Sequence, residues 1–175
     1  MSQLKVNSIV PVGGLPSGAN GGVIQIVYAE TTTKVSTTSG NYVDSGVTAT
    51  ITPSSNSSKI LVVASMQWFL FREATETNGS FKLLRGSTNI SEHSDAVHIE
   101  AGTTSQSRII SEGGYTIQRL DSPATTSAIT YKIQIRGTTS TSGTMIVAIN
   151  STGGGNYEEE TGGGGSSLCL MEVSG

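Results

Sequence analysis

The sequence predicts an all-β protein, an antiparallel jelly-roll sandwich with an extended N-terminal arm. Gly, Ser and Thr make up 71 of the 175 residues, whereas Asp, Glu, Lys and Arg make up only 13%. This composition favours strands and turns over exposed helix. A hydrophobic content of 35% and a net charge of only −3 are not typical of a disordered chain. The length fits one domain with a short appendage.

Residues 1–22 are rich in Gly and Pro and short of core-forming side chains. They predict an extended anchoring arm, and residues 23–175 form the head domain. The apolar side chains of the arm could dock on a partner protein. These anchoring residues are Leu4, Val6, Ile9, Val10 and Val12.

Strand patterns recur through the head domain at the short spacing typical of a sandwich. In residues 129–135, for example, Ile129, Tyr131, Ile133 and Ile135 share one face. The predicted strands are 23–29, 47–51, 59–71, 81–84, 93–100, 108–111, 115–120, 129–135, 145–150 and 168–173. This number of strands is close to that of a jelly roll.

Three of these segments, 60–71, 145–149 and 168–173, are apolar on both faces, with Glu172 as an interruption. A two-layer sandwich covers only one face of each sheet, so the second face needs another cover. A closed homo-oligomer is the preferred explanation, and an internal loop is the alternative. Trp68 is assigned to the core. The residues expected in the oligomer interface or the core are Trp68, Phe69, Phe71, Cys169, Met171 and Val173.

Several classes of function are disfavoured. Lys and Arg are scattered singly, which argues against nucleic-acid binding. No apolar run reaches the roughly 18 residues that span a bilayer. Cys169 has no partner for an internal disulfide and is expected to be a small buried hydrophobe. The N-terminus lacks the apolar core of a signal peptide, so synthesis in a reducing cytosol is expected.

The candidate chemical sites are weak. On a strand, His93 and Asp95 share one face while His98 and Glu100 share the other, which disfavours zinc. Three adjacent carboxylates, Glu158 to Glu160, diverge and disfavour a dedicated calcium site. No serine, acid or glycine pattern indicates catalysis or a phosphate loop. We therefore expect no enzyme activity, metal or cofactor.

The segment 153–167 contains seven glycines among its fifteen residues. Ordering so much glycine is costly, and a loop of this length is more often functional than architectural. We expect it to be presented at an exposed end of the jelly roll. Its presented residues are Asn156, Tyr157, Glu158, Glu159 and Glu160.

Six segments of the sequence resemble small tail-fibre or virion structural proteins of marine tailed phages, including cyanophages. These segments are residues 2–9, 48–55, 58–61, 120–126, 129–132 and 170–173. The resemblance covers most of the chain and includes no catalytic signature. It implies a tumour necrosis factor-like jelly-roll head that assembles as a homotrimer. Unlike longer fibres, this chain has no coiled-coil or repetitive shaft.

These observations lead to three hypotheses. The first is a non-enzymatic virion protein, made in the host cytoplasm. It is a short trimeric fibre that attaches to the tail or capsid through its arm and recognises host-surface glycan through its loops. The second is a capsid decoration protein that stabilises the shell. The third, from a different class, is a glycan-degrading virion enzyme, which turnover of host polysaccharide would reveal.

Overall fold

The computed structural model describes residues 22–72, 76–100, 109–138, 145–153, 159–161 and 164–174, with backbone only at 152–153 and 159–161. The strands are β1 (Val23–Thr31), β2 (Val35–Thr37), β3 (Val43–Ile51), β4 (Lys59–Arg72), β5 (Glu76–Arg85), β6 (Thr88–Glu100), β7 (Ile109–Asp121), β8 (Ile129–Thr138), β9 (Met145–Ile149), β10 (Ser151–Gly153), β11 (Glu159–Thr161) and β12 (Ser166–Val173). These residues include no helix that could cross a membrane. The arm, including Leu4, Val6, Ile9, Val10 and Val12, lies outside the described residues.

The first sheet, sheet A, is built around the long strand β4. β7 pairs along one side of β4. On the other side, β12 pairs with the Lys59–Ser65 half and β9 with the Trp68–Arg72 half. β1 and β2 then pair with β12 and β9 respectively. Sheet A is therefore four strand positions wide, because β12 and β9 share one position and β1 and β2 share another.

The second sheet, sheet B, has the order β3-β8-β5-β6. All strand pairs of both sheets are antiparallel. In chain order, sheet A holds the first, eighth, third and sixth strand positions, and sheet B holds the second, seventh, fourth and fifth. Eight positions connected back and forth between two sheets form a jelly roll. The predicted antiparallel jelly-roll sandwich is confirmed.

The core lies between the two sheets, and strand alternation decides which side chains enter it. On β4 the even-numbered side chains face inward, and Ile60, Val62, Ala64, Met66 and Leu70 are buried. From sheet B, Phe81, Leu83, Tyr131, Ile133 and Ile135 meet them in the same apolar cluster. Burial of these side chains is the main stabilising contribution to the head domain.

The two predicted strands 108–111 and 115–120 form one continuous strand, β7, which runs through Gly113 and Gly114. Glycine in a sequence usually indicates a turn, but here it accommodates a neighbouring ring. A Cβ atom on Gly113 would lie 3.2 Å from Cζ2 of Trp68, its paired residue on β4. A side chain at this position would require the indole ring to shift by a few tenths of an ångström, so the glycine favours close approach to the tryptophan.

Other strand boundaries also differ from the prediction. β5 begins at Glu76 instead of residue 81, because pairing with β6 and β8 on both sides extends the strand through its polar residues. β2 lies in a segment read as loop. The segment 153–167, also read as loop, contains β11, which pairs with β10 in a short hairpin.

Candidate subunit interface

One half of the outer face of sheet A, the half that contains residues 59–65 of β4, is apolar across four strands. In one row, Ile26 of β1 pairs with Met171 of β12, Met171 with Leu61 of β4, and Leu61 with Leu120 of β7. In the next row, Tyr28, Cys169 and Val63 follow each other in the same way and lead to Gln118. We call the apolar side chains of these two rows, together with Ile24 and Val173, the open face.

Strand alternation produces the open face, because the neighbouring positions fill the core. Leu168 and Leu170 of β12 are fully buried, which directs Cys169 and Met171 to the outside. Ile26 and Tyr28 are each 61% exposed, and Leu120 is 57% exposed. Leu61, Val63, Cys169, Met171 and Val173 are half-buried. Cys169 thus lies on the open face and not in the sandwich core.

The open face has a polar border. One row beyond Tyr28, the paired residues are Glu30, Ser167, Ser65 and Thr116. Neither apolar row contains a charged side chain. An apolar patch with a polar rim is typical of protein–protein contacts.

The other half of this outer face, which contains residues 68–72 of β4, is covered within the chain. Phe69 and Phe71 are buried and pack with Ala148, Ile110 and Ile146 in a second cluster. Trp68 points the other way and packs, half-buried, against the main core. The inward face of β4 is apolar because it packs in the core. Its outward face is apolar for two reasons: Phe69 and Phe71 are covered within the chain, and the other half of the strand contributes to the open face.

Between β9 and β12 the chain leaves sheet A, and we call residues 150–166 the excursion. Its two ends, Asn150 and Ser166, are hydrogen-bonded to each other and form its base. Asn150 has a φ of 55°, a left-handed conformation that Asn tolerates better than most residues. Its backbone N–H donates to Gln67 O at 3.0 Å, and its Nδ2 donates to Thr33 O at 3.0 Å. Ser166 Oγ donates to Asn150 Oδ1 at 2.6 Å and accepts from Gln67 N at 3.1 Å. Asn150 and Ser166 are fully buried.

The presented residues of this excursion are only partly described. Asn156, Tyr157 and Glu158 lie outside the described residues, and Glu159 and Glu160 belong to β11. The excursion leaves sheet A in the middle of a strand position, between β9 and β12, and β10 approaches β4 and β7. The sequence read Asn150 as the end of a strand, and its role at the base was not recognised.

Glu172 is the buried acid of sheet A. It faces inward on β12 and is fully buried. Ser54 donates to its Oε1 from both N, at 2.7 Å, and Oγ, at 2.6 Å, and Gln25 Nε2 donates to its Oε2 at 2.5 Å. Burial raises the pKa of Glu172, but the hydrogen bonds from Ser54 and Gln25 outweigh it, so that the pKa falls to about 2. The carboxylate ties β1, β12 and the turn after β3 together.

The two histidines lie on opposite faces of β6. Inside the sandwich edge, His93 Nε2 is 2.9 Å from Ser91 Oγ, and His93 Nδ1 is 2.9 Å from Tyr115 Oη. His98 lies outside, hydrogen-bonded to Asn78 and 3.7 Å from a Glu100 oxygen. Ser91 is buried, so this arrangement closes the edge between β6 and β7. In the described part of the chain, no three His, Cys, Asp or Glu side chains group as metal ligands would.

The outer face of sheet B differs from the open face because its charges are paired. Lys82 Nζ lies 3.1 Å from Glu92 and 3.8 Å from the ring centroid of Tyr42. The hydrogen bond from Lys82 lowers the pKa of Glu92, whereas burial raises that of the Tyr42 hydroxyl. Lys132 Nζ pairs with Asp44 at 2.8 Å and lowers the pKa of that carboxyl. This charged face is typical of solvated protein surface.

No protein-family model and no curated protein matches the sequence. Among solved structures, the chain is similar to a mutant VP2 protein of infectious bursal disease virus, with 15% identity and a TM-score of 0.34 over 87% of this chain and 41% of that chain. It is also similar to the virus Gx strain, with 16% identity and a TM-score of 0.33 over 87% and 40%, and to a VP2 subviral particle, with 13% identity and a TM-score of 0.32 over 86% and 42%. The chain spans about two fifths of their length.

Proposed function

We propose that this protein is a non-enzymatic structural component of a virion, and that its head domain assembles as a closed homotrimer through the open face. The observation that carries the proposal is the exposure of Ile26, Tyr28 and Leu120 in two uncharged rows beside Met171 and Cys169. Monomeric proteins rarely leave a patch of this kind in water. A second and third copy of the chain, which present the same surface, are the natural cover in a closed assembly.

The virion role rests on the sequence. The phage-like segments, among them residues 2–9 and 120–126, are spread over most of the chain and carry no catalytic signature. In this proposal the arm anchors the trimer to the tail or the capsid, and the excursion between β9 and β12 faces the host cell or a neighbouring virion protein. A polar surface glycan is the host ligand that the Ser- and Thr-rich loops suit best.

The location of the protein on intact particles tests the virion role. Antibody labelling at the tail supports a fibre that functions in attachment. Labelling over the whole head supports a capsid decoration protein. Purified particles that lack the protein would contradict both forms of the proposal.

Deletion of residues 2–20 tests the arm. We expect the melting temperature of the head to change by less than about 2 °C, since these residues contribute few apolar side chains to a core. Incorporation into particles should be lost, because Leu4, Val6, Ile9, Val10 and Val12 would no longer reach the partner. The measurements are calorimetry of the purified head and immunoblotting of purified particles. Normal incorporation of the truncated protein would contradict the anchoring role.

Replacement of residues 156–161 by a short Gly/Ser linker tests the presented excursion. The base at Asn150 and Ser166 stays intact, so the trimer and its melting temperature should be retained. Adsorption to host cells, or packing against a neighbouring virion protein, should fall several-fold. As a control, Asn150→Ala removes the side chain from the base and should lower the melting temperature, since the Thr33 carbonyl loses its donor and the buried Ser166 hydroxyl loses its acceptor. Unchanged adsorption and packing would contradict the proposed functional role of the excursion.

A further inference from the structure

The buried arginine Arg72 closes one end of the core. Arg72 is the last residue of β4 and faces inward, at the opposite end of β4 from the row of Glu172. Only 1% of the surface of Arg72 is exposed. Within the described ranges, Arg72 Nε, Nη1 and Nη2 have no hydrogen-bond partner. The hydroxyl of Thr77, which is fully buried on β5, also has no hydrogen-bond partner among the residues that the structure describes.

Strand register places these two residues in facing rows. Arg72 pairs with Ile109 and Met145 in sheet A, one inward row beyond Leu70 and Val147. In sheet B, the Cβ position of Gly79 lies 3.4 Å from a methyl carbon of Val147, so Gly79 faces that preceding row. Thr77 is two residues from Gly79, on the same face and towards the same end. The row of Thr77 and its paired residue Ile99 therefore faces the row of Arg72.

A guanidinium in this setting needs an acceptor. Arginine stays protonated in proteins, and a buried charge without a partner is strongly unfavourable. The paired neighbours of Arg72 and Thr77 are Ile109, Met145 and Ile99, whose side chains offer no oxygen acceptor. The guanidinium fork presents parallel N–H groups that match two oxygens of one anion.

We propose that Arg72 and Thr77 bind a small inorganic oxyanion of the phosphate or sulfate class, enclosed at this end of the sandwich. The guanidinium donates to two oxygens of the anion, and the Thr77 hydroxyl donates to a third. Apolar neighbours such as Met145, which is 8% exposed, strengthen these contacts by excluding water. Because the site is enclosed, the anion enters when the chain folds. This proposal is independent of the trimer and of the virion role.

Refolding in defined anions tests the site. The full chain is unfolded in urea and refolded in phosphate, sulfate or chloride at equal ionic strength. Phosphate or sulfate should raise the melting temperature by about 3–8 °C relative to chloride and saturate with concentration. Native mass spectrometry should show one added phosphate or sulfate per chain, which is lost under denaturing conditions.

Three variants make the test specific. Arg72→Met keeps an unbranched side chain without charge and should lose both the saturable shift and the added mass. Thr77→Val should weaken anion binding about 3- to 10-fold. Arg85→Met, which removes an arginine already paired with Asp121, should keep the full response.

Equal temperature shifts in the wild type and in Arg72→Met would mean a general salt effect and would overturn the proposal. A wild-type mass without an added anion after refolding in phosphate and in sulfate would overturn it too, and would place the missing acceptor elsewhere in the chain. The mass measurement needs no variant, so the proposal stays testable even if Arg72→Met fails to fold.

Discussion

Met171→Asp should convert the proposed trimer into a monomer. Met171 lies in the middle of the row that joins Ile26, Leu61 and Leu120, so each subunit would carry a carboxylate into an uncharged contact. Burying an unpaired charge costs about 3–5 kcal/mol per site, which lowers the association constant by several orders of magnitude. Light scattering at micromolar concentration should give a mass near 18.1 kDa for the variant and near three times that value for the wild type.

Two controls accompany this measurement. Met171→Leu keeps volume and polarity and should remain trimeric. Thr50→Asp adds the same charge on the outer face of sheet B and should also remain trimeric, because that face already carries paired charges such as Lys132 and Asp44. A wild-type protein that is a stable monomer at micromolar concentration would contradict the proposed role of the open face.

Glu172→Gln should destabilise the head by about 2–3 kcal/mol and lower its melting temperature by about 5–10 °C. An amide keeps the shape of the side chain, but its NH₂ group would meet either the Gln25 Nε2 donor or the Ser54 donors. One donor in the first orientation, and two in the second, lose their acceptor on residue 172. Glu30→Gln, an exposed acid on β1, should change stability by less than about 0.5 kcal/mol.

The effect of Glu172 should depend on pH in a defined window. Its pKa is about 2 in the folded protein, below the ordinary value of 4.5. A lowered pKa means that the carboxylate stabilises the folded state fully above about pH 4.5, and that this contribution is lost as the pH falls towards 2. The difference in urea-unfolding free energy between the wild type and Glu172→Gln should therefore be constant above about pH 5 and shrink below it. A constant difference down to pH 2 would show that the charge does not matter.

The sequence predicted the fold class because hydrophobic alternation is a local property. Residues 129–135 alternate in the sequence, and Tyr131, Ile133 and Ile135 are buried in the structure. Local pattern was less informative where a distant residue decides the outcome. Gly113 lies within a strand because Trp68 packs against it, and Glu172 is buried because Ser54 and Gln25 hydrogen-bond to it. None of these three partners is close in sequence to the residue that it contacts.

The same limit applies to the candidate interface. The sequence identified strands that are apolar on both faces but could not separate the part covered by the chain from the exposed part. Phe69 and Phe71 are buried with Ala148, whereas Cys169 and Met171 lie beside exposed Ile26 and Tyr28. Which segment covers which half depends on where the excursion leaves the sheet, and no local pattern specifies that position.

The place of β12 in sheet A has a consequence for synthesis on the ribosome. β12, the last of the described strands, lies between β1, the first of them, and the central strand β4. Until residues 166–173 emerge from the exit tunnel, β1 has no partner in this sheet and half of β4 has one side unpaired. A nascent chain must keep these strands unpaired while the rest is translated, which exposes apolar edges to other chains. Emergence of β12, rather than the folding of the earlier strands, is then the step at which the head closes.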